Sequence, residues 1–284
     1  MKEIILNNGA KIPQIGLGTW FIDDDKVADA IVEAVKLGYR HIDTAQAYEN
    51  ERGVGEGIKK CGLNRNELFI TTKIAAELKD FDSAYNSVIQ SLKVMDLDYL
   101  DLVIIHAPEP WSEFRGKNKY FKENVEVWKA LEALYEKGLV RAIGLSNFLI
   151  DDMQNILNNC KIKPMVNQFL VHIRNTPFEL LEFCNKNNIA VEAYSPIGHG
   201  EILKDPEIKK IADKYGVSVS ALCIKYCLEL GTIALPKTAN PIHMKDNLNE
   251  NFDLSKEDFE YLKSLERIKD YGNSEIFPCY AEGK

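Results

Sequence analysis

The sequence predicts an α/β fold, a (β/α)8 barrel, and three observations lead to it. Short β-rich runs alternate with longer stretches of helical period along the chain. Eight such runs fit a closed barrel of parallel strands, which takes about 250 residues. Asp43, Tyr48, Lys73 and His106 stand at or just past the ends of three successive runs. A barrel gathers such ends on one face, where chemistry is placed.

In chain order, EIILNNGAKIP reads as a hairpin turning on Asn8-Gly9 and plugging the barrel bottom. The strand-like runs are QIGLG (14–18), YRHID (39–43), LFITTK (68–73), LDLVIIH (100–106), RAIGLS (141–146), MVNQ (165–168), IAVEAYS (189–195) and TIALPK (232–237). Helical patterns between them include residues 26–38, 83–95 and 124–138, the last closing on Gly138. The long loop 107–122 follows His106 directly, and loops of that length in a barrel carry function or move. SKEDFEYLKSLERI (255–268) reads as an amphipathic helix with Ser255 as cap and Asp258 at N3, a near capping box. Residues 269–284 have no period and read as a loop able to fold over the site. The whole chain, 1–284, reads as one domain. The runner-up, a doubly wound sheet, breaks off near six strands and carries a Gly-rich turn after the first.

Composition narrows function. The chain has 284 residues, 45% hydrophobic and 27% charged, with formal net charge −8. That charge argues against nucleic acid as a partner. No run of about 18 apolar residues suggests a membrane span, and the start lacks a signal-peptide apolar stretch, so a cytoplasmic protein is expected. Nothing signals an obligate dimer, so a monomer is expected. Six cysteines (61, 160, 184, 223, 227, 279) form no Cys-x-x-Cys pair and read as ordinary packing residues. His41 and Asp43 share a strand face, but a metal there lacks further ligands, so His41 reads as an interior hydrogen-bonder and no metal is expected.

The four strand-end residues suit one task. A free phenol, with pKa about 10, gives up protons poorly near neutrality. An ammonium beside Tyr48 lowers that value; Lys73 supplies it, and Asp43 keeps Lys73 ionised and aimed. His106 orients a carbonyl oxygen beside Tyr48. Alone, each has a bland reading as packing residue, salt bridge or rim histidine; their joint placement favours chemistry. The later ends are polar too. Ser146, Asn147 and Gln168 offer donors and acceptors to an amide-bearing ligand, and Tyr194 offers a face for a flat ring. At the eighth exit, Asn240-Pro241 starts a helix, with Lys237 and Thr238 just before it, a setting that suits phosphate. No G-x-G-x-x-G or G-x-x-x-x-G-K-[ST] occurs, so a dinucleotide would be held by this rim.

GLGTW (16–20), GYRHIDTAQAYENERGVGEGI (38–58), ITTKI (70–74), VIIHAP (103–108), RAIGLSNF (141–148), AYSPIG (193–198) and LPKTANPIHMKDN (235–247) together resemble the aldo-keto reductases along nearly the whole chain. They are most similar to the bacterial branch of 2,5-diketo-D-gluconate and small-aldehyde reductases. The resemblance implies reduction of a small-molecule aldehyde or ketone by NADPH. It makes Tyr48 the proton donor, Lys73 and Asp43 its tuners, and His106 the carbonyl orienter. It gives Ser146, Asn147 and Gln168 to the carboxamide and Tyr194 to the nicotinamide ring, with Thr19, Trp20, Asp43, Ser195 and Pro196 as further cofactor-binding residues. Lys237, Thr238, His243, Asp246 and Asn247 fall to the adenosine side, and Trp20 and Trp111 wall the substrate pocket. His243 stands where the family commonly has Arg; a mostly uncharged imidazole holds a 2′-phosphate less firmly, so use of NADH is expected as well. Ala107 stands where many members have Trp, so a wider pocket mouth is expected there, filled in part by Trp111 from the long loop. Two rivals stay open: a Schiff-base lyase with Lys73 as nucleophile, and a nucleotide-sensing protein that binds cofactor with little turnover.

Overall fold

The computed structural model describes residues 2–281. β1 (Glu3–Ile5) and β2 (Lys11–Pro13) pair antiparallel, and the turn between them closes on Gly9 at φ 87°, backbone that suits glycine. The hairpin lies under the barrel. Asn7 Nδ2 donates to the carbonyls of Pro164 and Asn188, and Asn8 Nδ2 to that of Arg141. Those residues lead into the strand starts, opposite the ends that carry Asp43, Lys73 and His106, while Leu6 and Ile12 are buried.

Eight parallel strands then follow in sequence order: β3 (Leu17–Gly18), β4 (His41–Asp43), β5 (Phe69–Ile74), β6 (Leu102–Ile105), β7 (Ile143–Ser146), β8 (Val166–Leu170), β9 (Ala190–Tyr194) and β10 (Ile233–Leu235). The last meets the first through bridges Ile15–Ala234 and Gly18–Lys237. Gly16 N donates to Ala234 O at 2.9 Å and Gly18 N to Pro236 O at 3.0 Å across that seam. The strands are nearly all buried, as expected where helices cover a parallel sheet.

The helices are α1 (Val27–Leu37), α2 (Glu51–Lys60), α3 (Phe81–Met95), α4 (Phe121–Glu136), α5 (Ile150–Asn159), α6 (Phe178–Lys186), α7 (Pro206–Tyr215), α8 (Val219–Glu229), α9 (Pro241–Asn247) and α10 (Lys256–Ser264). Side-chain caps set several starts: Asp80 on α3, Asp205 on α7, Ser218 on α8 and, as the Asn-Pro pair predicts, Asn240 on α9. α4 starts at Phe121, three residues before its periodic core, which shortens the loop after His106. α10 ends at Ser264, short of the predicted 268, and its box is incomplete. Ser255 Oγ accepts from Asp258 N at 3.2 Å, but Ser255 N donates to Tyr215 Oη at 3.0 Å. The Asp258 carboxylate is taken by Lys214 at 2.7 Å instead.

Cys223 and Cys227 lie buried on α8, and all six cysteines are free. No helix among the described residues is long and apolar enough to cross a membrane.

α2 packs closely against the end of α3. A Cβ on Gly55 would lie 2.3 Å from the Met95 carbonyl oxygen. Gly55→Ala should therefore lose about 1–3 kcal/mol of stability through overpacking. Urea unfolding measures it, and an unchanged midpoint would refute the tight contact.

Candidate active site

The C-terminal ends of the strands open into a cavity of about 350 Å³. Lys73, on β5, is only 1% exposed and spends its three N–H bonds on three acceptors. They are Asp43 Oδ2 at 2.6 Å, Thr44 O at 2.9 Å and Tyr48 Oη at 3.2 Å. Such satisfaction is what lets a lysine stay buried and charged.

Tyr48 arrives on a 3-10 turn, Gln46–Tyr48, that is tied down from both sides. Gln46 Oε1 accepts from Ala75 N at 2.9 Å, and its Nε2 donates to Ser87 and Ser91 at 3.1 Å each. Asn50, just past the turn, donates to the carbonyls of Thr19 and Ile22 and accepts from Thr44 Oγ1. His106 follows β6, its ring edge-on to Tyr48 at 5.7 Å and to Trp111 at 5.1 Å between centroids.

The electrostatics sort the four groups. Burial works against the Lys73 ammonium, but the Asp43 charge and Tyr48 raise its pKa overall, so it stays protonated. A protonated lysine with almost no exposure does not serve as an amine nucleophile, which disfavours the lyase reading. Burial, then the Lys73 charge, holds His106 well below its ordinary value, so its ring is neutral. For Tyr48 the expectation of a lowered pKa needs correction. Burial raises it more than the Lys73 ammonium lowers it, so the phenol keeps its proton at neutral pH. That is the form an acid needs, and Lys73 is still placed to stabilise the phenolate left behind.

Thr19, Trp20, Asp43, Tyr48, His106, Trp111, Ser146, Asn147, Gln168, Tyr194, Ser195 and Lys237 all line the cavity. Lys73 sits behind it, and Pro196 lines an adjoining hollow of about 220 Å³ shared with Trp20, Ser195 and Lys237. Thr238, His243, Asp246 and Asn247 do not line either space. They lie at or on α9, with His243 exposed, Asn247 buried and Asp246 accepting from Ser218 Oγ at 2.5 Å.

Asn147 holds a left-handed backbone at φ 61°, which Asn tolerates better than most residues. Its amide is engaged inside the protein. Nδ2 donates to His106 O at 3.0 Å and Ser146 Oγ at 3.1 Å, and Oδ1 accepts from Tyr194 Oη at 2.8 Å. Asn147 therefore fixes the Tyr194 ring and the His106 backbone, and its donors are already spent. Gln168 differs: Nε2 donates to Asp43 Oδ1 at 2.9 Å and to Glu192 Oε2 at 2.8 Å, which leaves its amide oxygen for the cavity.

The walls are aromatic. Trp20 lies 6.3 Å from Tyr48 and 4.9 Å from Phe277 between ring centroids. Phe277, Pro278 and Cys279 bring the tail over the mouth, as the aperiodic C-terminal stretch suggests; residues 282–284 of that stretch lie outside the described residues. Tyr280 Oη meets Ser195 Oγ at 2.5 Å and Tyr271 Oη meets His172 Nε2 at 2.8 Å, fastening the tail down. The sequence reading missed Phe277, Cys279 and the buried Glu192. Glu192 left one signal, a charge in the middle of the apolar run IAVEAYS, two residues from Tyr194 and so on the same strand face.

Residues 14–267 match the model of the Aldo/keto reductase family. The chain is 38% identical over 275 residues to the glyoxal reductase of Bacillus subtilis, covering 96% of each protein. It is 38% identical over 274 residues to the 9,11-endoperoxide prostaglandin H2 reductase of Trypanosoma cruzi, covering 95% of this chain and 93% of that one. A crystal structure of an aldo-keto reductase from Bombyx mori in complex with NADP superposes with TM-score 0.86 at 32% identity, covering 98% of each chain.

Proposed function

The chain belongs to the aldo/keto reductase family and is an NAD(P)H-dependent oxidoreductase; from that premise we propose that it reduces small uncharged aldehydes and ketones to alcohols, with Tyr48 as proton donor and His106 orienting the carbonyl. The observation that carries this reading is the Lys73 ammonium, 3.2 Å from Tyr48 Oη and 2.6 Å from Asp43, beside a neutral His106 in one cavity.

The cofactor fits the residues present. The Gln168 amide oxygen and the Ser146 hydroxyl suit a carboxamide, the Tyr194 ring suits a flat heterocycle, and Lys237 suits a phosphate. Thr238, Asp246 and Asn247 take the adenosine end. When bound, the reduced nicotinamide supplies the hydride to the carbonyl carbon. His106, held neutral, donates an N–H to the carbonyl oxygen and aligns it with Tyr48 Oη. Tyr48 gives its proton to that oxygen as negative charge builds there, and Lys73 steadies the phenolate. Asp43 keeps Lys73 charged, and Trp20, Trp111 and Phe277 exclude water. In this reading the chain acts as a single domain, as a monomer and in the cytoplasm.

Steady-state oxidation of NADPH and NADH with methylglyoxal, an aromatic aldehyde, an aldose and a diketo sugar acid tests the proposal. Turnover of the first two is expected, because the aromatic walls favour molecules with neither a charge nor a row of hydroxyl groups. Tight cofactor binding without turnover would favour the sensor reading instead.

His243, exposed on α9, bears on cofactor choice. We infer that NADPH is preferred only loosely, because Lys237 is left to meet the 2′-phosphate without an arginine fork. His243→Arg should raise the NADPH:NADH ratio of kcat/KM about tenfold, the worth of one hydrogen bond to a charged group. An unchanged ratio would sink that inference.

A further inference from the structure

Beneath the catalytic groups the barrel interior holds a second polar layer that the steps above do not use. It consists of His41 on β4, Thr71 on β5 and Glu192 on β9, each fully buried. A barrel interior is normally packed with branched apolar side chains, and a buried carboxyl there is unfavourable unless it is bonded. Glu192 is bonded upward. In the parallel register of β8 and β9 it lies beside Gln168, and its Oε2 accepts from Gln168 Nε2 at 2.8 Å. On the other side its Oε1 lies 3.6 Å from His41 Nε2, which in turn meets Thr71 Oγ1 at 3.1 Å.

The consequence concerns the Gln168 amide. An amide nitrogen has two N–H groups. One goes to Asp43 Oδ1 and the other to Glu192 Oε2, so neither remains for a ligand. Asp43 alone would hold one N–H and leave the other free to swing toward the cavity. Glu192 removes that freedom. Burial, together with the Asp43 charge, pushes the Glu192 carboxyl up, and burial keeps His41 neutral with a pKa of about 4. The Glu192 carboxyl is thus pushed toward its uncharged form, which limits the negative charge it places beside Asp43 and Lys73.

We propose that Glu192 is a positioning residue of the cofactor site: as the second acceptor for Gln168, it locks the amide so that the cavity is offered only an oxygen, and thereby selects a ring substituent that donates a hydrogen bond. This deepens the reading of a nicotinamide in the cavity and rests on it. The selected group is a carboxamide, and the rejected one is a carboxylate at the same ring position.

The test measures dissociation constants for NADP+ and for its nicotinic-acid counterpart, by tryptophan fluorescence, in wild type, Glu192→Met and Glu192→Gln. Adenosine 2′,5′-bisphosphate, which lacks the ring, is the control. Wild type should prefer the carboxamide. Methionine keeps the length of the side chain but offers no oxygen, so E192M should narrow that preference about tenfold. E192Q still presents an oxygen to Gln168 and should keep the preference. The control ligand should bind all three proteins alike. A preference unchanged in E192M overturns the proposal, as does an equal loss of the control ligand, which would mean general loosening. If E192M does not fold, two other results still decide: loss of the preference in E192Q, or no preference in wild type, overturns the proposal. Wild type that binds neither dinucleotide would overturn the underlying cofactor reading; wild type that binds both equally overturns only the role of Glu192.

Discussion

Tyr48→Phe should lower carbonyl turnover by about 10²–10⁴-fold, the range for loss of a positioned proton donor, while leaving cofactor affinity nearly unchanged. The substitution removes one oxygen. The ring keeps its place between Trp20 and the edge of His106, and Lys73 keeps its bonds to Asp43 and Thr44. Binding should persist because the contacts proposed for the cofactor lie on Ser146, Gln168 and Tyr194 and not on the Tyr48 hydroxyl. Steady-state kinetics together with a direct binding titration separate the two effects. If kcat stays within about threefold of wild type, less than one bond's worth, Tyr48 is not the proton donor.

The second large effect is on stability. Lys73→Met should lose about 3–5 kcal/mol, because it leaves the Asp43 carboxylate buried without its cation. Asp43 is 4% exposed and, among the described residues, would retain only the Gln168 amide as a side-chain donor. Turnover should fall as well, since nothing then stabilises the phenolate. The double variant Asp43→Asn with Lys73→Met should recover much of the stability without recovering turnover, because two neutral groups replace an orphaned charge. Urea midpoints of the three proteins check this. A single variant as stable as wild type would mean that water already shields Asp43.

What the sequence made legible was local. Strand ends carry their own punctuation, so Asp43, Lys73 and His106 stood out at the close of apolar runs, and the Asn240-Pro241 pair marked a helix start. The barrel followed from counting those runs. What stayed hidden depends on contacts between distant segments. The Gln168–Asp43 bond joins residues 125 apart, and no period or motif announces it. Glu192 showed only as a charge out of place, with its partner Gln168 on a neighbouring strand. The Tyr48 shift went the other way from expectation because burial, a property of the assembled pocket, outweighs a charge that can be read from the chain. Ser255 looked like half of a capping box, yet Tyr215 and Lys214, contributed by α7, take up the remaining groups.

The pocket is assembled from two kinds of material. Of the groups proposed to react, Asp43, Lys73 and His106 stand on or beside strands that the ring of backbone hydrogen bonds keeps in place, and Tyr48 stands on a short turn bonded to them. The rim is made of Trp111 from the loop after β6 and Phe277 to Cys279 from the tail, segments that add nothing to that ring. Chemistry and selectivity are therefore inherited separately in this molecule. Substitutions at the rim can change which carbonyl compounds enter while the catalyst stays folded and competent, so a lineage can explore new substrates without risking the reaction itself.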